Sequence, residues 1–539
     1  MAGDDGMPGA VRYRFGPLQR RAVIAGFRGG QLAAAAVGVL LGLVALRSLP
    51  AAVGAVVAVA AAVGGIAVAT VPLRGRTAEE WAPDAARFLA GSPPRRPAAR
   101  APFASFTVLA VDLDQGRPKA TGTRAGVPVA LAHTAPGASR STSAVGVVAD
   151  RSRGVYSAVL TVDAPGFLLA GDGDKDRRVA QWAGVLASAA RDNGAVHRLQ
   201  WVERSVPDGG SDLRRHADGA RRLAEDAPAV TSYRELLDAV AGAALRHGVL
   251  LVVSVHQRRA RRAVRSAGGG DGGACTVLVR EIAALRRRLG DAQVRSSPPL
   301  GPDALVAVFR GAVEADDRVA PDAAAALGRQ LPADDPVPGS GNGPTGVGGS
   351  RFPPLSLPSL WSRPSPWPWP MAVDDRWSRV RTDATWHAVF WVAQWPRSDV
   401  PADFLGSLVL APEVRRTVSV VMEPVGPARA ARQVEHARTS GIADAELRRR
   451  GGFLATARRR REEESLAARE VELADGHAHY RFCGYVSVTA SSADELDVAC
   501  GNVEQAAAQA GLELRRCYGD QTRAFLATLP IGYGLPDRG

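Results

Sequence analysis

Cysteine is scarce in this sequence, and its placement excludes the common structural uses of the residue. Only four cysteines occur among 539 residues: Cys275, Cys483, Cys500 and Cys517. No two of them have the spacing of a CxxC motif, and no Cys/His spacing typical of zinc is found. We therefore predict free thiols in a reducing compartment, some of them buried, rather than a disulfide framework.

Motifs for nucleotide-driven or hydrolytic chemistry are also missing. No glycine-rich stretch carries the GK[ST] ending of a P-loop, and GxSxG and HExxH do not occur. The run from Gly268 to Gly273 comes closest, because it lies between a predicted strand and a predicted helix whose first amides suit an anion. It contains Asp271 and no lysine. We expect a protein without catalytic residues or cofactor; the alternative is a membrane-bound enzyme that uses this loop.

Two long stretches contain almost no polar residue. Residues 29–46 include only Gln31, and residues 51–73 carry no charge. The second stretch reaches the roughly 20 residues that cross a bilayer, the first is slightly shorter, and neither has a polar face. The pattern predicts a transmembrane helical hairpin over residues 29–73, in contact with membrane lipids. The alternative is a buried alanine-rich helical pair in a soluble core.

Arginines predict the orientation of this hairpin. The loop between its helices carries only Arg47, whereas arginines cluster on both sides of the pair. Five precede the first helix, namely Arg12, Arg14, Arg20, Arg21 and Arg28, and those after the second include Arg74, Arg76, Arg95, Arg96 and Arg100. The positive-inside rule then predicts a cell-membrane protein with two spans and both termini in the cytoplasm. The formal net charge of +13 suits an anionic membrane, an acidic partner or nucleic acid.

Two proline-rich linkers divide the remaining chain. A Pro/Arg linker leaves the hairpin, and a longer Pro/Gly/Trp-rich linker interrupts every short run that could form a helix or central strand. The predicted segments are a basic segment 1–28, the first linker 74–102, a first cytoplasmic domain 103–330, the second linker 331–370, a second cytoplasmic domain 371–530 and a tail 531–539. The end of the second linker, with Trp367 and Trp369, is either a docked arm or an extended segment that binds a partner.

The two cytoplasmic domains show the same order of predicted elements. Each has the order β-α-β, a helical connection, and again β-α-β, which is typical of split βαβ, ferredoxin-like units. The apolar run from Val249 to Val255 predicts a fully buried central strand. We predict an α/β (α+β) protein in which a hairpin precedes two such units related by duplication. An αβ sandwich without duplication is the alternative.

A charged helical arm is predicted at residues 427–473. Its first helix, from Ala428, is expected to break at Ser440-Gly441. The second carries Arg458, Arg459, Arg460 and Arg461 followed by three glutamates, a spacing that supplies ion pairs along an exposed helix. The arm is either a solvated helical hairpin or a lever against a partner or membrane surface, in which case these arginines bind that surface.

Several long segments of the sequence carry a family resemblance. They include "VRYRFGPLQRRAVIAGFRGGQ" before the hairpin, "GRTAEEWAPD" after it, and "RTVSVVMEPVGPARAARQVEHART" in the second domain. They resemble an actinobacterial integral membrane family of conjugation and type IV secretion-like systems. Its architecture is similar to a PrgI-like hairpin fused to the non-ATPase amino-terminal domain of the conjugation ATPase.

The resemblance implies a non-catalytic scaffold subunit of an oligomeric transport machine. Such a subunit recruits or positions a separate ATPase, and the segment containing Trp81 is expected to contact a partner. Whether the cargo is DNA or protein stays open, as does contact with nucleic acid. A weaker resemblance to the EccE component of type VII secretion, which also has an amino-terminal hairpin and an α/β domain, supplies the alternative.

Overall fold

The structure is a computed structural model that describes most of the chain. Its continuous parts are residues 29–70, 102–112, 144–163, 166–192, 194–207, 211–241, 245–314, 369–411, 414–450 and 457–534. Residues 13, 15 and 95–97 and some positions between 81 and 89 are described as well. Most of both predicted linkers, the end of the predicted tail and Trp367 lie outside the described residues.

Two helices, α1 (Gly29–Ser48) and α2 (Ala51–Thr70), begin the continuous part of the chain. They pack along each other through glycines: a Cβ at Gly38 would lie 2.8 Å from the Ala61 carbonyl oxygen, and one at Gly42 would lie 3.0 Å from that of Ala58. Only small residues allow two helix backbones to approach so closely. The predicted helical pair is therefore confirmed as a pair. Counted over the described residues, no helix combines the length and hydropathy of a membrane crossing.

From residue 95 onward, the described residues of the first half of the α/β body form seven strands, six α-helices and one 3₁₀ helix (Pro102–Ser105). They are β1 (Arg95–Pro97), β2 (Phe106–Asp112), β3 (Ala144–Asp150), β4 (Val155–Asp163), α3 (Asp172–Ala189), β5 (Val196–Pro207), α4 (Ser211–Ala220), α5 (Pro228–Ala241), β6 (Leu245–His256), α6 (Arg261–Ser266), α7 (Gly270–Asp291), β7 (Arg295–Ser296) and α8 (Pro302–Val313).

The second half repeats much of this order. Its elements are β8 (Ala372–Asp375), β9 (Val380–Thr382), β10 (Thr385–Gln394), α9 (Gly406–Val409), β11 (Arg415–Val425), α10 (Pro427–Arg450), α11 (Ala457–Ala474), β12 (His479–Ala490), α12 (Ala493–Gln509), β13 (Glu513–Arg516) and α13 (Gln521–Leu526).

All described strands belong to one antiparallel sheet. Its order is β1-β8-β9-β10-β12-β11-β5-β6-β4-β3-β2, with β13 beside β10 and β7 beside β4. The four central strands of the first half therefore lie in the order β7-β4-β6-β5, and those of the second in the order β13-β10-β12-β11. The two halves are joined where β5 pairs with β11. The register runs from the pair of Ser205 with Arg416 to the pair of Leu199 with Met422. The mixed helix and sheet architecture confirms the predicted α+β class.

Helices cover both faces of this sheet. On one face, α3 and α7 pack on the first half and α12 packs on the second, as two separate clusters. On the other face a single core runs across both halves, and it includes Leu250, Phe309, Val389 and Phe525. Strand β6 alternates between the two faces and is buried on each, which confirms the prediction of a central strand.

Two local predictions are wrong. Helix α10 continues through Ser440-Gly441 to Arg450, although a break was expected there. A glycine inside a helix costs only about 1 kcal/mol, and an ion pair between Arg438 on α10 and Glu470 on α11 ties this part of the arm together. A helix is also predicted from Pro401 to Glu413, because proline suits the first helical position, but the described part of this segment forms only the single turn α9.

Candidate functional site

The helical pair presents a continuous apolar surface. Side chains that face away from the α1–α2 contact are well exposed, for example Leu40 at 61 %, Val56 at 71 % and Val59 at 65 %. No described residue between Gly29 and Leu46 or between Ala51 and Thr70 is charged. An exposed apolar surface of this kind marks a membrane or protein contact, because water disfavours it.

The segment before the helical pair packs against both halves of the body. Tyr13 forms two backbone hydrogen bonds with Val400, of 2.9 and 3.0 Å. Its hydroxyl donates to Asp176 at the start of α3, over 3.0 Å. Burial and this carboxylate raise the pKa of Tyr13 to about 12. Phe15 stacks on Trp395 with ring centroids 5.2 Å apart. We call these contacts of Tyr13 and Phe15 the amino-terminal anchor.

The segment after the pair is held by a second aromatic cluster. The Trp81 ring stacks on Trp377, with centroids 5.6 Å apart, and lies 5.4 Å from the ring of Tyr518. Phe88 contacts Trp377 edge to face at 5.3 Å. We call this cluster the carboxy-terminal anchor. The structure thus places Trp81, a predicted partner-binding residue, against the second half of its own chain, where it remains partly exposed.

Trp369 is a core residue. It is 2 % exposed, its ring centroid lies 4.8 Å from that of Phe309, and its Nε1 donates to the Phe106 carbonyl oxygen over 3.2 Å. Of the two alternatives for the end of the second linker, the docked arm is therefore the one that fits Trp369. Its predicted role in partner binding is corrected, because the side chain leaves no surface for another protein.

The charged arm, formed by α10 and α11, is fixed at its base and exposed beyond it. Ala430 and Val434 are buried, and the first turn is held by Asp192, whose carboxylate accepts from the Ala428 amide over 3.4 Å. Arg460 and Arg461 are exposed. The side chains of Arg458 and Arg459 lie outside the described part. The arrangement can present positive charge to a partner away from the sheet.

The carboxy-terminal segment, residues 517–534, lies in the interior of the body and is held by buried polar side chains. The Gln200 amide on β5 donates to the carbonyl oxygens of Ala527 and Leu529 and to Ser419 on β11, and its oxygen accepts from the Gly532 amide. The prediction of a tail from residue 531 did not anticipate this burial. Buried glutamine on a central strand was the available signal.

A charged cluster also crosses the junction between the halves. Glu423 on β11 is buried and accepts from Arg259 over 2.6 Å and from Arg481 on β12. These two guanidinium groups hold the pKa of Glu423 below its usual value, although burial opposes them. The adjacent His197 has its pKa lowered to about 2, mainly by burial. The cluster joins the turn after β6 to β11 and β12.

A serine, a histidine and a glutamate meet at the opposite end of β5, but not as a catalytic triad. Ser205 Oγ and Glu203 Oε1 both lie near His247 Nδ1, at 3.0 and 2.9 Å. A triad needs the acid on one ring nitrogen and the nucleophile on the other. Ser205 also donates to Glu203 over 2.6 Å, so the three groups form a structural hydrogen-bond cluster.

Other nucleophiles are held in unreactive states. Burial raises the pKa of the Cys275 and Cys483 thiols to about 12 and that of Cys500 to about 11, so thiolate is disfavoured. Lys175, beside a glycine-rich stretch, binds Asp403 over 2.7 Å and links the halves. Among the described residues no group of three metal-ligating side chains meets.

Comparison with known proteins gives no match for this chain, either among protein-family models or among curated proteins.

Proposed function

We propose that this protein is a non-catalytic, membrane-anchored scaffold subunit of a transport machine of the type IV secretion or conjugation-like class. The observation that carries the proposal is the apolar α1–α2 pair, whose flanking segments are both packed onto one α/β body. A hydrocarbon environment would cover the exposed Leu40, Val56 and Val59 side chains.

The two anchors explain how such a scaffold would work. A membrane helix pair on flexible tethers would leave its body free to rotate, whereas packing at Phe15 and Trp81 fixes both tethers to the second half. The body would then keep a defined position near the membrane. A defined position is what a subunit needs when it holds a separate ATPase in place.

We also propose that the body consists of two ferredoxin-like units derived by duplication. The strand orders β7-β4-β6-β5 and β13-β10-β12-β11 support this, because each is the order 4-1-3-2 of a split βαβ unit. In each unit a helical hairpin joins the second and third strands: α4–α5 in the first and α10–α11 in the second. Since β5 and β11 run antiparallel, these hairpins leave opposite ends of the sheet.

The arm is the part of the body that we propose as a contact for partners. Arg460 and Arg461 are exposed on α11, so an acidic surface of the ATPase, of another subunit or of the membrane could bind them. The same basic surface could also serve contacts between copies of the subunit or contact with nucleic acid.

Membrane fractionation combined with affinity purification tests the proposal. Full-length protein should resist carbonate extraction from membranes and should co-purify an ATPase encoded beside its gene. A chain lacking residues 29–73 should leave the membrane fraction but still bind that ATPase through the body. Recovery of type VII components would favour the EccE-like alternative. Full extraction of the intact chain, or its purification without any ATPase, would contradict the scaffold proposal.

A further inference from the structure

Three arginines line one cavity beside the end of β6. Arg258, Arg261 and Arg265 are exposed and lie around an open surface cavity of about 350 Å³, which Val264 and Gly269 also line. The volume lies within the range of small-ligand pockets, about 300 to 1,000 Å³. The structure therefore concentrates positive charge around a space that admits a small anion.

Among the described residues these three arginines have no acidic partner, since none of them forms an ion pair with a carboxylate. By contrast, Arg259 of the same segment turns inward to Glu423, and Arg151 binds Asp271. Like charges that share a cavity repel one another, so a bound anion would stabilise this arrangement.

The acidic residue of the glycine-rich loop does not neutralise the cavity. Asp271 accepts from the Tyr156 hydroxyl over 2.6 Å and from Arg151 Nε over 3.0 Å, and it does not line the cavity. The presence of Asp271 was the main sequence argument against an anion site, and this geometry removes it. The amides of Gly268 and Gly269 are already used, donating to the Arg265 and Val264 carbonyl oxygens. Any binding charge is therefore that of the arginines.

The walls of the cavity are held in place by the fold. Helix α6 and the start of α7 are in direct contact, since a Cβ at Gly273 would lie 2.3 Å from the Val264 carbonyl oxygen. Gly269 has a φ of 72°, which disfavours any side chain at the cavity wall. The ion pair of Arg259 with Glu423 fixes the segment to the sheet. The backbone that presents the three guanidinium groups is thus well defined.

We propose that this cavity binds a phosphate or diphosphate group through Arg258, Arg261 and Arg265. Guanidinium groups match the geometry of phosphate oxygens and can bind them in pairs. The anion belongs either to a soluble phosphate compound or to a phospholipid headgroup. The inference does not depend on the scaffold proposal, because neither the helical pair nor a partner ATPase enters the argument.

Calorimetric titration of the full-length protein with pyrophosphate tests the proposal. We expect saturable binding at physiological salt, weakened about a hundredfold or more in R258Q/R261Q/R265Q, since each lost charged contact is worth about tenfold. The control R222Q/R280Q/R287Q removes the same charge from exposed positions elsewhere and should bind within about twofold of the wild type.

The source of the anion is distinguished by reconstitution. If a lipid headgroup occupies the cavity, pyrophosphate should bind more weakly in vesicles containing phosphatidylglycerol than in vesicles of phosphatidylcholine alone. Equal affinity in both would favour a soluble ligand. Should the triple variant fail to fold, R265Q alone should still cost about tenfold. Absence of binding by the wild type, or equal losses in the triple variant and the control, would overturn the proposal.

Discussion

Tyr13 and Val400 exchange two backbone hydrogen bonds, of 2.9 and 3.0 Å, although most of the chain separates them in sequence. The contact brings the segment before the helical pair to the junction of the two halves, because the Tyr13 hydroxyl also reaches Asp176 of the first half. The fold thus ties the segment that precedes the predicted membrane hairpin to the body at Tyr13 and Phe15.

Loss of the carboxy-terminal anchor should release one tether without unfolding the body. In Trp81→Ala the stacking on Trp377 is removed, and each aromatic contact contributes about 0.5–1.5 kcal/mol beyond its buried area. We expect faster trypsin cleavage after Arg74 and Arg76 with an almost unchanged melting temperature. Trp81→Phe, which keeps an aromatic ring, should stay close to the wild type. A large fall in melting temperature for Trp81→Ala would mean that Trp81 belongs to the folding core.

The buried Gln200 amide should be a major contributor to stability. Gln200→Ala leaves the buried Gly532 amide without its acceptor, whereas the carbonyl oxygens of Ala527 and Leu529 still accept from the Ser419 hydroxyl and the Ile531 amide. One buried group left unsatisfied costs about 1–3 kcal/mol, so urea unfolding should show a loss in that range. The exposed Gln505→Ala is the control and should change stability by less than about 0.5 kcal/mol. A loss as small as that of the control would show that the carboxy-terminal segment does not hold the halves together.

Acid should destabilise the protein partly through His387. This side chain is fully buried with its ring between Thr382 and Thr489, and burial lowers its pKa to about 3. The Thr382 hydroxyl donates to the Val313 carbonyl oxygen, so it accepts from Nε2, and the neutral ring has Nδ1 as its acceptor.

The sign of the effect follows from the unfolded state. Histidine in the unfolded chain protonates near pH 6.5, while the buried His387 ring of the folded protein stays neutral. The contribution of His387 to the free energy of unfolding is therefore fully present above pH 6.5. It falls by about 1.4 kcal/mol per pH unit as the pH drops toward 3. His387→Gln should reduce this slope in urea unfolding between pH 6.5 and 5, whereas the exposed His216→Gln should not. An unchanged slope in His387→Gln would contradict a neutral buried ring.

The sequence predicted elements whose signal is local. The apolar run from Val249 to Val255 identified β6, and the pattern of the two uncharged stretches identified α1 and α2 within a few residues. The pairing of β5 with β11 was not predicted, because strands of different halves give no local sign of their partners. The shared hydrophobic core that joins the two halves on one face of the sheet was not predicted, for the same reason.

Most of the candidate site depended on contacts that sequence spacing does not show. Trp81 was singled out, but its partners Trp377 and Tyr518 were not, since stacking follows from the tertiary fold. Trp369 lies in a Pro/Trp-rich stretch whose composition is typical of recognition segments. In the structure its ring packs against Phe309 in the core. The cavity lined by arginines was not predicted, because Asp271 argued against an anion site. Its hydrogen bond with the Tyr156 hydroxyl is a long-range contact that the sequence does not show.

The arginines of the arm should serve binding rather than stability. Exposed ion pairs contribute only a few tenths of a kcal/mol, so changing Arg458 through Arg461 to Gln should leave the melting temperature nearly unchanged. Near an acidic or anionic surface each arginine is worth about 1 kcal/mol, so association should weaken, most clearly at low salt. Sedimentation with membranes and partner pull-down measure this. Wild-type association at low salt would identify the arm as a plain solvated hairpin, and a large loss of stability would place these arginines inside the fold.

The most direct test of the account is the topology of the helical pair. A reporter enzyme that is active only outside the cytoplasm should be active when fused after Ser48, between the two helices, and inactive when fused after Gly91. The single arginine between the helices and the arginines on either side of the pair motivate this expectation. Activity after Gly91, or inactivity at both positions, would contradict a membrane hairpin that anchors the body on the cytoplasmic side.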